Sequence, residues 1–171
     1  MDQHKPNPVT RGALSAEQLI QARQHSTPLP VQTAHSMELV ATVNGVDYVN
    51  DSRATFLDAT LRTMSDLDRP VVWIAGAVGA EAGSAHISEF LRERVVALVL
   101  FGKAGSGSID ALRPFTEHVY SAEELRTAVF LARELAREGE VVLFSPACPS
   151  SDGFANYEER GTEFRRAVKD L

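Results

Sequence analysis

Several absences narrow what this chain can do. It has a single cysteine, Cys148, so it can build neither an internal disulfide framework nor a cysteine-ligated metal site, which suits a reducing compartment. Its five histidines, His4, His25, His35, His86 and His118, lie scattered without metal-ligand or triad spacing, and no metal ligand or catalytic residue is assigned. Long apolar runs are missing too: Val95–Phe101 is far shorter than the roughly 20 residues of a membrane span, and residues 1–14 lack the apolar centre of a signal peptide. There is no excess of positive charge. With 17 basic residues against 23 acidic and a net charge of -6, binding to nucleic acid or an anionic membrane is disfavoured. A phosphate-binding P-loop is also absent: Gly102-Lys103 is the only Gly-Lys pair, Ala104 stands where the magnesium-binding hydroxyl belongs, and Ala97 where the leading glycine belongs. The expectation is a cytoplasmic protein whose partners are small molecules or other proteins.

The 171 residues, 44% of them apolar, suffice for one sizeable core. Residues 1–30 read as a flexible leader with one short helix, opened by the capping-box pair Ser15 and Gln18 and closed by Pro28 and Pro30. Residues 31–171 read as the folded domain. Residues 38–43 and 46–50 are β-prone runs joined by Asn44-Gly45, the dipeptide that best tolerates the positive φ angles of a tight hairpin. Helices and strands then alternate: a helix over 54–65, a strand over 71–76, a helix over 85–93 and a strand over 95–101. A short helix near 108–112, a strand at 117–120, a long helix over 122–138 capped by Ser121 and Glu124, a strand over 141–144 and a last helix over 156–171 follow. The strands are short and continuously apolar, as strands covered on both faces are. This pattern predicts a doubly wound, Rossmann-like α/β domain, a mostly parallel sheet with an N-terminal β-hairpin.

In such a fold the ligand side lies beyond the carboxyl ends of the strands, and three loops there stand out. The first, residues 50–55, is Asn-Asp-Ser-Arg-Ala-Thr, which can be a functional cluster or simply a cap, with Asp51 or Ser52 serving the next helix. The second, residues 76–84, is glycine-rich and can be an anion cradle or a plain turn; it carries no lysine or arginine. The third, residues 145–154, gathers Ser145, Cys148, Ser150, Ser151 and Asp152 and runs on into Tyr157 and Arg160. Cys148 there lacks a partnered histidine and reads as a buried structural thiol in preference to a nucleophile.

The first and third loops, in this order and about 90 residues apart, resemble the opening and closing segments of the C-terminal domain of the Mur peptide ligases, most closely the UDP-N-acetylmuramoyl-L-alanine:D-glutamate ligases of peptidoglycan synthesis. The resemblance covers about residues 29–171. It implies a domain that closes over a cleft shared with an ATPase domain and a UDP-sugar domain, where an acyl phosphate is formed and attacked by an amino acid. Carried over, Asp51 lies on the nucleotide side, and Arg53, Thr55, Ser150, Ser151 and Tyr157 lie on the amino-acid side. Arg53 stands where the family usually has lysine, a change that keeps charge and alters shape. Ser36 stands where the family usually has an arginine that helps hold the nucleotide, and Ala77, Gly79 and Ala80 occupy a neighbourhood that usually supplies a lysine. The expectation is therefore a stand-alone, pseudoenzyme-like module that binds or regulates without catalysing. Its partners would be a Mur ligase or another cell-wall protein, with D-glutamate or a nucleotide as ligand. The alternative is one part of a split ligase, for which ATP or ADP and magnesium would be the cofactors once the other domains are supplied.

Overall fold

A computed structural model describes residues 33–78, 84–103, 109, 116, 118–151 and 153–171. Strands β1 (Glu38–Val43) and β2 (Val46–Asn50) form the expected antiparallel hairpin, with Asn44 and Gly45 at φ 52° and 76° in its turn. Helix α1 (Leu57–Leu67), strand β3 (Val71–Ala75), helix α2 (Ala85–Arg94) and strand β4 (Val95–Phe101) follow. Strand β5 (Val119–Ala122), helix α3 (Leu125–Leu135), strand β6 (Val141–Phe144) and helix α4 (Tyr157–Lys169) complete the order. The sheet runs β1-β2-β6-β3-β4-β5, parallel throughout except for the hairpin.

The position of β6 explains which face each helix covers. From β2 through β3 to β4 and β5 the chain steps in one direction across the sheet; from β5 it turns back to place β6 between β2 and β3. Right-handed crossovers stepping in opposite directions must lie on opposite faces. Accordingly α3 and α4 pack over Val72, Ile74, Val99, Phe101, Val142 and Phe144, and α1 and α2 over Val71, Trp73, Leu98, Leu100, Val141 and Leu143. Alternate residues of each strand serve alternate faces, so the inner strands β3, β4 and β6 are apolar throughout, whereas β1, β2 and β5 carry polar residues. On the α4 face Phe144 stacks on Phe164 at 5.0 Å and meets Phe101 edge-on at 5.7 Å.

Where sequence and structure part, the cause is mostly at helix starts. Helix α1 begins at Leu57 instead of 54, with Phe56 as its N-cap and no side-chain cap; Asp51 and Ser52 are used elsewhere, so the capping reading of that loop fails. Strand β5 lies at 119–122 instead of 117–120, because its pairing with β4 runs from Leu98 opposite Val119 to Phe101 opposite Ala122. Ser121 is thereby drawn into a strand and cannot cap α3, which starts at Leu125 behind an uncapping Glu124 and ends at Leu135, inside the expected 122–138. In α4 the side chain of Asn156 caps the helix by accepting from Glu159 N at 2.8 Å. The leader, the centre of the glycine-rich loop and the short helix near 108–112, apart from Ile109, lie outside the described residues.

Helix α4 comes close to the rest of the domain at Gly161. A Cβ there would collide with His35 Nδ1 and Ser52 Oγ, both buried. Gly161→Ala should therefore destabilise the protein by about 2 kcal/mol, the range of an overpacked core, read as a lower urea midpoint with an unchanged slope.

Candidate functional site

The reversal at β6 leaves a crevice beyond the carboxyl ends of β2, β6 and β3, and a set of buried polar groups fills its floor. Asp51 follows the last residue of β2, and its N–H continues the ladder to Phe144 O at 2.8 Å. Its carboxylate accepts from Thr63 Oγ1 of α1 at 2.8 Å, Ser145 Oγ of the loop after β6 at 2.9 Å, and Met37 N at 3.3 Å. The Thr60 hydroxyl meets Ser145 Oγ at 2.7 Å, and Trp73 Nε1 donates to Ser145 O at 2.7 Å. One carboxylate thus joins the segment before β1, the loop after β2, helix α1 and the loop after β6.

Its neighbours tie in the remaining pieces. The Asn50 amide donates to Glu38 Oε2 at 3.0 Å and to Gly161 O at 3.3 Å, while its oxygen accepts from Ser52 N at 3.2 Å. Arg160, almost fully buried, has no carboxylate partner among the described residues; its guanidinium donates to Ser52 O and Cys148 O, both at 2.9 Å. Such an ion is tolerable inside a protein because its donors are met by carbonyl dipoles in fixed positions. Glu38 is pushed up by burial, but the His35 N–H, Arg165 at 3.2 Å and the Asn50 amide bring it below the usual carboxylate range. Three non-glycine residues near the loop have positive φ: His35 (65°), Met37 (48°) and Ala147 (57°). Each is bonded to the 51–54 loop, through Arg53 N to His35 O, Met37 N to Asp51 and Ala147 N to Ala54 O. Local strain persists where surrounding bonds overdetermine it, and here those bonds fix the shape of the loop.

Above this floor lies an open cavity of about 340 Å³ lined by Ser36, Met37, Asp51, Arg53, Ala54 and the Ala59, Arg62, Thr63, Asp66 face of α1. The structure thus brings Asp51 and Arg53 to one cavity. Thr55, half-buried, and Ser150 and Ser151, in the loop after β6, do not line it. Tyr157 opens α4, edge-on to His35 at 5.9 Å, and is close enough to Arg53 for that charge to act on its hydroxyl. Cys148 is buried, with its carbonyl held by Arg160, in accord with the structural reading of the thiol. Sequence reasoning passed over Thr63, Arg62 and Asp66 as site residues, although the i, i+3, i+4, i+7 spacing from Ala59 to Asp66 marks one helix face. It named Arg160 at the end of the third loop but gave it no role, because nothing local distinguishes a buried arginine from a surface one.

These features define a doubly wound, Rossmann-like α/β domain with a polar switch point under an open cavity. Residues 36–148 match the family described as Mur ligase, glutamate ligase domain. The UDP-N-acetylmuramoylalanine--D-glutamate ligase of Cupriavidus pinatubonensis is 41% identical over 137 residues, covering 80% of this chain and 27% of that ligase. That of Cytophaga hutchinsonii is 36% identical over 137 residues, covering 80% and 30%. The chain therefore spans under a third of the length of these relatives. Among solved structures, MurF from Acinetobacter baumannii is similar with a TM-score of 0.50 at 12% identity, covering 92% of this chain and 34% of that one, a likeness of fold. The chain belongs to the Mur ligase family, in which it corresponds to the C-terminal domain of the D-glutamate-adding ligases.

Burial raises the pKa of Asp51 above the ordinary 3.8, outweighing the Thr63, Ser145 and Met37 donors that lower it. The folded state then favours the protonated acid, so this contribution to stability is complete below the ordinary value and is lost as pH rises through the raised one. The unfolding free energy of the wild type minus that of Asp51→Asn should fall as pH is raised from below 3.8 to neutrality, by about 1.4 kcal/mol for every tenfold by which folding weakens the acid. A flat or rising difference in urea titrations would refute it.

Proposed function

We propose that this domain forms the ligand-closing face of a D-glutamate-ligase-type cleft and binds without catalysing by itself. The observation that carries this reading is the meeting of the first and third loops at one polar floor: Ser145 and Thr63 are both hydrogen-bonded to Asp51, beneath a cavity that Asp51 and Arg53 line. The groups with acid-base capacity there are committed to structure. Asp51 is spent on three donors, Cys148 is buried, and His35 is buried against Asn50 and Ser52. The 171 residues contain no P-loop to hold a nucleotide for phosphoryl transfer. In this reading Asp51 faces the nucleotide side, Arg53, Thr55, Ser150, Ser151 and Tyr157 serve the amino-acid side, and the domain acts as a binding or regulatory module for cell-wall enzymes in the cytoplasm.

A second reading is favoured by the same cavity, which retains two arginines and would be idle in a purely structural remnant. In it the domain completes a ligase whose ATPase and UDP-sugar domains are supplied separately, with magnesium and ATP bound by those domains.

Given ATP, magnesium, UDP-N-acetylmuramoyl-L-alanine and D-glutamate, the purified chain alone should release no phosphate above background. Calorimetric titration with Mg-ADP and with D-glutamate should detect binding of at least one, and a folded protein giving no heat with either at millimolar concentration would end the ligand-binding reading. Restored turnover on adding the chain to a D-glutamate ligase truncated before its C-terminal domain would establish the second reading over the first.

A further inference from the structure

One buried side chain fastens the two motif loops to each other. Arg160 is almost fully removed from water, and its guanidinium donates to Ser52 O through Nε at 3.3 Å and Nη2 at 2.9 Å, and to Cys148 O through Nη2 at 2.9 Å. Because one nitrogen serves both carbonyls, their oxygens stand no further apart than twice that last distance. The base from which the fork reaches is fixed as well: Arg160 lies in the first turn of α4, which Asn156 caps, and Gly161 beside it accepts from the Asn50 amide. A residue that only had to fill this space would be better apolar, since taking a guanidinium out of water is costly. What arginine adds is a rigid planar fork of donors that holds two acceptors at a set separation, which neither lysine nor an apolar side chain reproduces.

The two carbonyls belong to stretches read as the amino-acid side. Ser52 precedes Arg53, Cys148 comes two residues before Ser150, and Tyr157 stands three residues ahead of Arg160 in the same turn of α4. Asp51, by contrast, is placed without Arg160, through Thr63, Ser145, Met37 and the bond of its own N–H to Phe144 O. The loops are thus tied on one side by Asp51 and on the other by Arg160. We propose that Arg160 is a positioning residue for D-glutamate: it touches no ligand, and it sets the spacing of Arg53, Ser150 and Tyr157 through their backbones. The proposal rests on the ligand-binding reading above. Displacing positioned groups by about 1 Å can cost about 10²-fold in rate, so the affinity lost with the fork should be tenfold or more.

The test is calorimetric titration of the full chain with D-glutamate and with Mg-ADP. Arg160→Lys, which keeps the charge without the fork, and Arg160→Gln, which keeps a donor without the charge, should each weaken D-glutamate binding tenfold or more and leave Mg-ADP within twofold of its wild-type affinity. Val168→Ala opens a cavity in the core about two turns further along α4, and should lower the melting temperature without changing D-glutamate affinity. In the wild type, the Arg160 Nε–H resonance should shift as D-glutamate saturates the site and stay in place with Mg-ADP, a readout that needs no variant to fold. Wild-type affinity in either folded Arg160 variant, a parallel loss of Mg-ADP binding, an equal loss in Val168→Ala, or an Nε–H resonance unmoved by D-glutamate would each overturn the role while leaving the ligand-binding reading intact. Binding of Mg-ADP without D-glutamate would do the same. No heat with either ligand would end both.

Discussion

The rest of this domain is organised around a carboxylate that has to be buried. Asp51 sits where β2 ends beside β6, under the crevice made by the reversal of the sheet, and it is almost fully removed from water. A carboxylate in that position is tolerable only with donors fixed around it, since an unmet buried polar group costs about 1 to 3 kcal/mol and a charged one more. Thr63, Ser145 and Met37 supply those donors from three separate stretches of chain. Asn50 and Arg160 extend the same logic to β1 and α4, the amide through Glu38 and Gly161 and the guanidinium through Ser52 and Cys148. The apolar core explains why the sheet is covered, and this polar assembly explains why its loops have one arrangement.

Much of the fold was legible because it is written locally. Asn44-Gly45 marks its hairpin through backbone conformation alone, and the unbroken apolar runs of β3, β4 and β6 declare burial on both faces. What misled was also local. Asp51 and Ser52 lie at a plausible distance before a helix, and Ser121 with Glu124 fits the capping-box pattern, yet both sets are taken by longer-range partners: the carboxylate by Thr63 and Ser145, the serine by the β5 ladder. A capping hydrogen bond stabilises by about 1 kcal/mol, too little to hold a residue against a sheet register and a buried charge network.

The same contrast separates the motif residues of the site from the others. Asp51 and Arg53 share a recognisable stretch of sequence, and the cavity brings them together. Arg62 and Thr63 are adjacent on α1 but have opposite fates, one exposed to the cavity and the other buried against Asp51. Their spacing from Ala59 and Asp66 carried that information, but a mixed polar face on an amphipathic helix ordinarily reads as solvated surface. Only the placement of α1 against the 51–54 loop distinguishes the two.

The insertion of β6 between β2 and β3 has a further consequence, for the order of events during synthesis. Asp51 must wait for Ser145, 94 residues later, and Asn50 for Gly161, 111 residues later. Until then the sheet has a gap at its centre and β2 has no parallel neighbour to join it to β3. Contacts of such long sequence separation close slowly, since loop entropy is lost before any bond compensates for it. A nascent chain would therefore emerge with its hairpin formed but its crevice incomplete, and a message cut short before β6 would yield a product that lacks both the strand between β2 and β3 and the Ser145 hydroxyl that Asp51 accepts from.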